Sequence, residues 1–427
     1  MIMSLFEEES VQQRIEEGIV RNRQRDVVLL MKGVDGERLV DAPLEVRQVS
    51  SDFLFGSNIF MLGGYPSAQA NEAYAEAFTR LFNAASVPFY WKGIEPEEGA
   101  LRFGADSPFV SRRPPPGVVV DFCEAHGLNM NGHCLVWDHN RWSVPEWVVD
   151  SQGCAPLLER RIRQIGERYG HRIPRWDVLN EAAGSRHPAL RPMPAGYERM
   201  AFTWAEQYMP ASAHLMINDT TGAAWGPPDI EAGPYFRLIR DLLADGARVD
   251  GIGLQWHRFN DTEMQEFMDG KTLRPDRQFS ALDTYQAFGC PLHISEITLP
   301  EPTFADDPRG AQRDLAVALY RLWFSHPAVH AITWWNLADG GGAPGEDAPS
   351  GLLDADLKPK PAYEALHDLI HREWRTGISG RTGADGAFAF RGFHGRYEIR
   401  LHGKQVREFY LSGQQAEPMM LDCPVQS

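Results

Sequence analysis

The chain is poor in cysteine, with five in 427 residues: Cys123, Cys134, Cys154, Cys290 and Cys423. An odd, scattered set without a CxxC pair argues against a disulfide framework and against a zinc ribbon. Positive charge is also scarce. Lys and Arg number 42 against 58 Asp and Glu, a net charge of -16, which argues against nucleic acid or an anionic membrane as the main partner. No apolar run approaches the ~20 residues of a membrane-spanning helix. The opening MIMSLFEEESVQQRIEEGIV lacks the basic start and apolar stretch of an export signal. As written, the chain is expected in the cytoplasm, or in the periplasm or outside the cell if the start is mis-assigned or trimmed. A phosphate-binding glycine loop is missing too: GSNIFMLGG does not have the fingerprint spacing. No internal repeat or low-complexity tract stands out.

What is present is apolar material for a large core, 43% hydrophobic and 11% aromatic residues. From Phe53 onward, short apolar runs alternate with longer amphipathic stretches. FLFGSNI, SVPFYW, NMNGHCLVW, RWDVLN, AHLMIN, GIGLQW, LHISE and AITWW read as strands. Between and after them, NEAYAEAFTRLF, PLLERRIRQIGERYG, YFRLIRDLLADG, AYEALHDLIHREW and others read as helices. Eight such repeats predict an α/β fold, a (β/α)8 TIM barrel; a doubly wound open sheet is the competing reading. Several strands begin apolar and end polar, at Asn180, Asn218, Gln255 and Glu296. That asymmetry favours the barrel, whose working side chains sit at C-terminal strand ends.

The chain ends follow a different rhythm. VVLLMKG and PLEVRQVS read as strands joined by a turn, and GAFAFRGFHGRYEIRLHGKQVREFYLS as β-hairpins. Neither set would be stable alone. The predicted organisation is a helical segment over 1–25, a small β-sandwich from 26–50 plus 377–423, and a catalytic barrel over 51–376. Tyr397, Phe409 and Tyr410 fit either the core of that sandwich or a carbohydrate-binding face.

Glu181 and Glu296 close two predicted strands and would face each other across the barrel mouth. Paired carboxylates there suit glycosidic cleavage, one protonating the leaving oxygen while the other attacks the anomeric carbon. A surface salt bridge for each is the plain alternative. The neighbours favour chemistry. Asn180 stands beside Glu181, and period-2 alternation puts Gln255 and His257 on one strand face. A buried core histidine is the alternative for His257, and core packing for many of the twelve Trp. His133 and His139 have neither the helical spacing nor the Cys partner of a metal site.

These motifs resemble the family-10 glycoside hydrolases, mainly endo-β-1,4-xylanases, over roughly residues 53–370. WDVLNEA resembles the acid/base motif and HISEITL the nucleophile strand. FGSNI, GHCLVW, IND, GIGLQWH, TWWNLAD and KPAYEAL follow in the family's order. The resemblance implies Glu181 as general acid/base, Glu296 as nucleophile, and His133, Trp137, Asn180, Gln255, His257 and Trp335 around the sugar. It also implies retention of configuration, with Glu181 holding a proton near neutrality and Glu296 ionised.

The second strand departs from the pattern. Counting back from Glu95-Pro96, Trp91 matches the family's Trp. Tyr90 stands where the family has Lys, and Val87-Pro88 where it has Asn-Glu. Lys92, two positions on, would serve only if the strand stays regular. Trp91, Tyr90 and Lys92 are therefore the expected contacts to the next sugar. Asp138 replaces a His, Asn336 a Gly, and the loop from Gly340 to Gly351 lacks the family's further Trp and Arg. The expected partner is an oligosaccharide or polysaccharide, with no cofactor, metal, nucleic acid or membrane; the oligomeric state is not legible. The expected activity is cleavage of xylan or xylo-oligosaccharide. Alternatives are the same chemistry on another β-glycoside, such as a plant saponin glycoside, and a carbohydrate-binding protein without turnover.

Overall fold

Short strands separated by one or two helices recur along the central chain, and each is buried nearly throughout, the signature of a parallel sheet covered on both faces. A computed structural model describes residues 1–33, 35–148, 151–183, 193–413 and 419–424. Among them the chain divides into two compact units. One comprises Met1–Leu5, Leu54–Ala316 and Ala328–Tyr363; the other Phe6–Phe53, Val317–Pro327 and Glu364–Ser427. Val34 and residues 414–418, which fall in the predicted sandwich, and Gly184, just past WDVLNEA, lie outside the described residues.

In the second unit, β1 (Gln24–Lys32) and β2 (Pro43–Ser51) come from the start of the chain. The first unit follows with β3 (Leu54–Asn58), β4 (Ala84–Pro88), β5 (Asn129–Val136), β6 (Arg175–Asn180), β7 (His214–Asp219), β8 (Gly251–His257), β9 (Leu292–Thr298) and β10 (Val329–Trp334). These eight pair in sequence order, and β10 returns to β3 to close a barrel. The helices bury one stripe each. In Ala68–Leu81, Tyr74, Phe78 and Leu81 are buried and Ser67 caps the N-terminus by accepting from Ala70 N at 3.1 Å. Each such side chain contributes ~1.5–3 kcal/mol by leaving water.

The second unit continues with β11 (Gly377–Arg381), β12 (Ala387–Phe393), β13 (Gly395–Leu401), β14 (Lys404–Leu411) and β15 (Met419–Pro424). One sheet has the order β12-β1-β15 and the other β11-β2-β13-β14. Val27, Leu29, Val46, Phe390, Tyr397, Ile399 and Leu411 share one core. Tyr397 and Phe409 stack at 5.0 Å in it, whereas Tyr410 is exposed. The expectation of simple hairpins needs correction. Among the described residues only β13 and β14 form one, while β12 and β13, separated by His394 alone, belong to different sheets. The helix Glu9–Arg23, within the predicted helical segment, buries Val11, Ile15 and Ile19 on one face. At its end Asn22 Nδ2 donates to the Ser325 carbonyl at 2.8 Å.

The second barrel strand also differs from its expected span. It stops at Pro88, and the N–H groups of Ile94 and Glu95 turn back to the carbonyls of Tyr90 and Trp91 at 2.9 and 2.8 Å. The chain is helical over Trp91–Ile94, so residues 90 and 92 share no strand face.

Candidate active site

The C-terminal rim of the barrel opens into a cleft of about 860 Å³. Its floor is built from side chains that face each other across adjacent strands. The parallel register pairs Asn180 with Asn218, Gln255 with Glu296, His257 with Thr298, and His133 with Asp177. The first three pairs converge on Glu296 by hydrogen bonds, and His133 approaches the same carboxylate as an ion-pair partner.

Glu296 is its centre. Oε1 accepts from Asn218 Nδ2 at 2.7 Å and from Gln255 Nε2 at 3.0 Å. His133 Nε2 lies 3.8 Å from the same oxygen, and His257 Nε2 lies 3.4 Å from Oε2. Burial alone would raise the Glu296 pKa. The His257 hydrogen bond, the charges of His133 and His257, and Asn218 outweigh it and hold the carboxyl below its ordinary value. Gly253 makes room for this arrangement: a Cβ there would stand 2.5 Å from Asn218 Oδ1.

Glu181 is tuned the other way. Burial, then the charge of Glu296, push its pKa up to about 8, against a smaller pull from Gln255. Its backbone is left-handed, φ 56°, an uncommon conformation for a side-chain-bearing residue. It is anchored on both sides: Glu181 N donates to the Asn218 carbonyl at 2.8 Å, and Asp219 Oδ2 accepts from Ala183 N at 2.8 Å. Two carboxyls with pKa values pushed apart are the arrangement that divides acid from nucleophile.

One atom sets their spacing. Gln255 Nε2 lies 3.0 Å from Glu181 Oε1 and 3.0 Å from Glu296 Oε1. The two oxygens are therefore no further apart than twice 3.0 Å. That ceiling admits the ~5–5.5 Å of retaining glycosidases and falls below the ~6.5–9.5 Å of inverting ones.

The remaining expected residues divide. His133, Trp137, Asn180, Gln255, His257, Trp335 and Tyr90 all line the cleft. His133 Nδ1 meets Asp177 Oδ2 at 2.8 Å. Burial lowers the imidazole's pKa, but Asp177 and the charges of both cleft carboxylates raise it above the ordinary value. Trp335 packs edge-on against Phe60 at 5.3 Å, and Tyr90 edge-on against Phe60 at 5.7 Å and tilted against Trp137 at 5.6 Å.

Trp91 and Lys92 are not brought to the cleft. The helical turn after Tyr90 buries Trp91, whose Nε1 donates to Glu95 Oε2 at 3.0 Å. The same turn sends Lys92 to an exposed ion pair with Glu146 at 2.9 Å. Their expected contact with a sugar is corrected accordingly.

The reading of single strands missed Asp177, Thr298, Ser295, Phe60 and Asp219. Ser295 Oγ donates to Asn218 Oδ1 at 2.6 Å, and Thr298 Oγ1 lies 2.8 Å from His257 Nδ1. Polar residues at equivalent heights in neighbouring strands were the available signal.

A family model, glycosyl hydrolase family 10, matches residues 67–369. The chain belongs to that family. The match takes in Tyr90, Glu181, Glu296 and Trp335, so the whole floor of the cleft lies within it. Among similar curated proteins, endo-1,4-beta-xylanase 2 of Arabidopsis thaliana is 26% identical over 385 residues, covering 89% of this chain and 32% of that protein. Endo-1,4-beta-xylanase B of Thermotoga neapolitana is 25% identical over 370 residues, covering 81% and 97%. The anti-sigma-I factor RsgI6 of Acetivibrio thermocellus is 27% identical over 320 residues, covering 73% and 39%. The chain spans between 32% and 46% of the length of the first four curated relatives it matches. In fold it is similar to xylanase 10B of Thermotoga petrophila RKU-1 in complex with xylobiose, with a TM-score of 0.60 at 23% identity over 75% of this chain and 95% of that one.

Proposed function

We propose that this chain is a retaining glycoside hydrolase that cleaves β-1,4-xylosidic bonds in xylan or xylo-oligosaccharides by double displacement. The observation that carries the reading is the shared contact of Gln255 Nε2 with both carboxylates, which limits their separation. The names of the relatives supply the sugar: several are endo-1,4-beta-xylanases, and a solved neighbour holds xylobiose.

In the first step Glu296, kept ionised by two imidazoles and two amides, attacks the anomeric carbon. The bond to the leaving oxygen breaks as Glu181 delivers its proton there. In the second step Glu181, now a carboxylate, takes a proton from water while that water displaces Glu296 from the anomeric carbon. The electron pair returns to the Glu296 carboxylate and the product keeps its configuration. Asn180, held by Asn218 at 2.8 Å, has its amide nitrogen left for a sugar hydroxyl. Tyr90, Trp137 and Trp335 line the cleft, where aromatic contact with the sugars is expected.

NMR of the first product anomer from an aryl β-xyloside tests the stereochemistry, and mass spectrometry after a 2-fluoroxyloside tests the nucleophile. Retention with label on Glu296 is expected; inversion, or label elsewhere, overturns the reading. One observation favours a second substrate class. At the exit of β4 the chain has Val87 and Pro88, both part of a fully buried strand, followed by Tyr90. A different β-glycoside, such as a saponin glycoside, would fit that altered end. Product profiles on xylan and a steroidal glycoside separate the two, and saturable binding of xylotriose with no cleavage at high enzyme concentration would favour a binding protein.

A further inference from the structure

The Tyr90 end of the cleft holds two adjacent guanidinium groups, Arg112 and Arg113, that the chemistry above does not use. They are built into place. Arg112 has a left-handed backbone, φ 60°, a conformation a side-chain-bearing residue adopts only where its surroundings impose it. The buried Arg102 clamps the loop that carries them: Nε reaches the Pro108 carbonyl at 3.0 Å, and Nη1 and Nη2 reach the Arg113 carbonyl at 3.3 Å. Gly93 leaves the space that the Arg113 stem fills, since a Cβ there would lie 2.9 Å from Arg113 Cδ. Three consecutive prolines, Pro114 to Pro116, then stiffen the exit of the loop.

The charges are only partly answered. Arg113 lies 3.8 Å over the ring of Tyr90 and donates through Nη1 to the Arg112 carbonyl at 2.8 Å. Arg112 Nη1 donates to Asn336 Oδ1 at 2.9 Å, and its Nε is buried without a hydrogen-bond partner. The carboxylate facing this end is Glu346. It is held by Asn336 Nδ2 at 3.0 Å and Ala343 N at 2.9 Å, and no hydrogen bond joins it to either guanidinium among the described residues. Two positive charges thus face one negative charge, in a chain whose net charge is -16. Burial lowers the pKa of both arginines, the mark of cations removed from water without full compensation. Tyr90 also links the pair to the reacting centre, because its ring lies 5.3 Å from His133, which stands beside Glu296.

We propose that Arg112 and Arg113 form a carboxylate-binding subsite, so that the cleft takes a chain bearing a hexuronic acid at the Tyr90 end. The guanidinium fork matches a carboxylate in a bidentate way, and the neighbouring ring of Trp137, which also lines the cleft, suits the sugar that carries it. The proposal rests on the glycosidase reading, but its test is a comparison of binding.

Calorimetry on the Glu296→Ala variant would use xylotriose, glucuronosyl-xylotriose and the same acidic sugar with its carboxyl reduced to an alcohol. The acidic ligand is expected to bind at least about tenfold more tightly than its reduced form. Raising the salt concentration would shrink that ratio. Adding Arg113→Gln or Arg112→Gln should bring the ratio to near unity, while inorganic phosphate should compete only weakly. Equal affinity for the acidic and reduced ligands overturns the proposal. So does a preference that survives both substitutions, or phosphate binding as tight as that of the acidic sugar. The ligand-side comparison needs no arginine variant, so it stands if one of them fails to fold. Cleavage of a neutral aryl xyloside without an acid preference removes this proposal alone. A strong acid preference without cleavage by the unmodified protein removes the parent reading alone, and a cleft that binds none of the sugars removes both.

Discussion

The exits of β6, β8 and β9 and the exit of β4 open into one cleft, yet they are built differently. At the first three, ionisable side chains are held by lateral partners in strand register: Gln255 beside Glu296, Asn218 beside Asn180, Thr298 beside His257. Each atom is fixed by strands that cannot shift without breaking the barrel. At the fourth, β4 ends at Pro88, and the lining comes from Tyr90, just ahead of a helical turn, and from the loop carrying Arg112 and Arg113, stacked on Phe60 and Tyr90. Rigid register suits reacting groups that must be placed to within a fraction of an ångström. Loop-borne groups are free to change which sugar is held.

The largest separation between the two ends should come from Glu296→Ala, expected to lower kcat on an aryl β-xyloside by about 10⁴-fold or more. A loss under tenfold would break the comparison outright. Glu181→Ala should cost about 10²–10⁴-fold with a poor leaving group and far less with a dinitrophenyl one, because only the former needs the proton. The pH profile sharpens this. Activity should fall as pH rises through about 8, where Glu181 loses its proton, and that alkaline limb should vanish in the alanine variant. On the acid side, activity should fall only below the ordinary carboxylate range, where Glu296 takes up a proton. Asn218→Ala should reduce kcat by about ten- to a hundredfold, the worth of a hydrogen bond to a charged group. It should also move the acid limb upward, since Asn218 is one of the groups lowering the Glu296 pKa.

Tyr90→Ala, at the other exit, should act mainly on KM, raising it by about tenfold with a smaller change in kcat. The smallest effect is on stability. The folded carboxyl of Glu181 titrates near 8 and the unfolded one near 4.5. Between those values the folded state keeps a proton that the unfolded chain has lost, so stability declines as pH rises through the window. Glu181→Gln removes the decline. Thermal unfolding should show the variant more stable than the parent at pH 9, by on the order of 1 kcal/mol, and equal to it near pH 4.

Much of the floor of the cleft was legible because its residues sit where apolar strands turn polar. Asn180, Gln255, His257 and Glu296 are each visible from one strand alone. Asp177, Thr298 and Asn218's double donation were not, because they depend on how neighbouring strands align, and a lateral register leaves no trace within a single strand. Trp91 and Lys92 were misjudged for a related reason. The run SVPFYW is apolar enough for a strand, and only the return of N–H groups to the Tyr90 and Trp91 carbonyls reveals a helical turn. Arg112 and Arg113 carry no strand or helix signal in the sequence, although two arginines followed by three prolines are a stiffly presented pair of charges. At the chain ends, alternation identified strands but not their sheets. The single residue between β12 and β13 looks like a tight turn in sequence, and in space it is a crossing from one sheet to the other.

The pairing of β1 with β12 and β15, and of β2 with β11 and β13, has a bearing on how the chain is made. Gln24 meets Phe393 in that ladder, so β1 and β2 leave the ribosome long before the strands they pair with. At ~5–20 residues per second, they wait for tens of seconds with both edges open while the barrel is synthesised. Open edges of this kind recruit other chains. Expression at lower temperature, or with a chaperone that shields nascent strands, should therefore help this protein more than it would one whose strands pair with near neighbours in sequence.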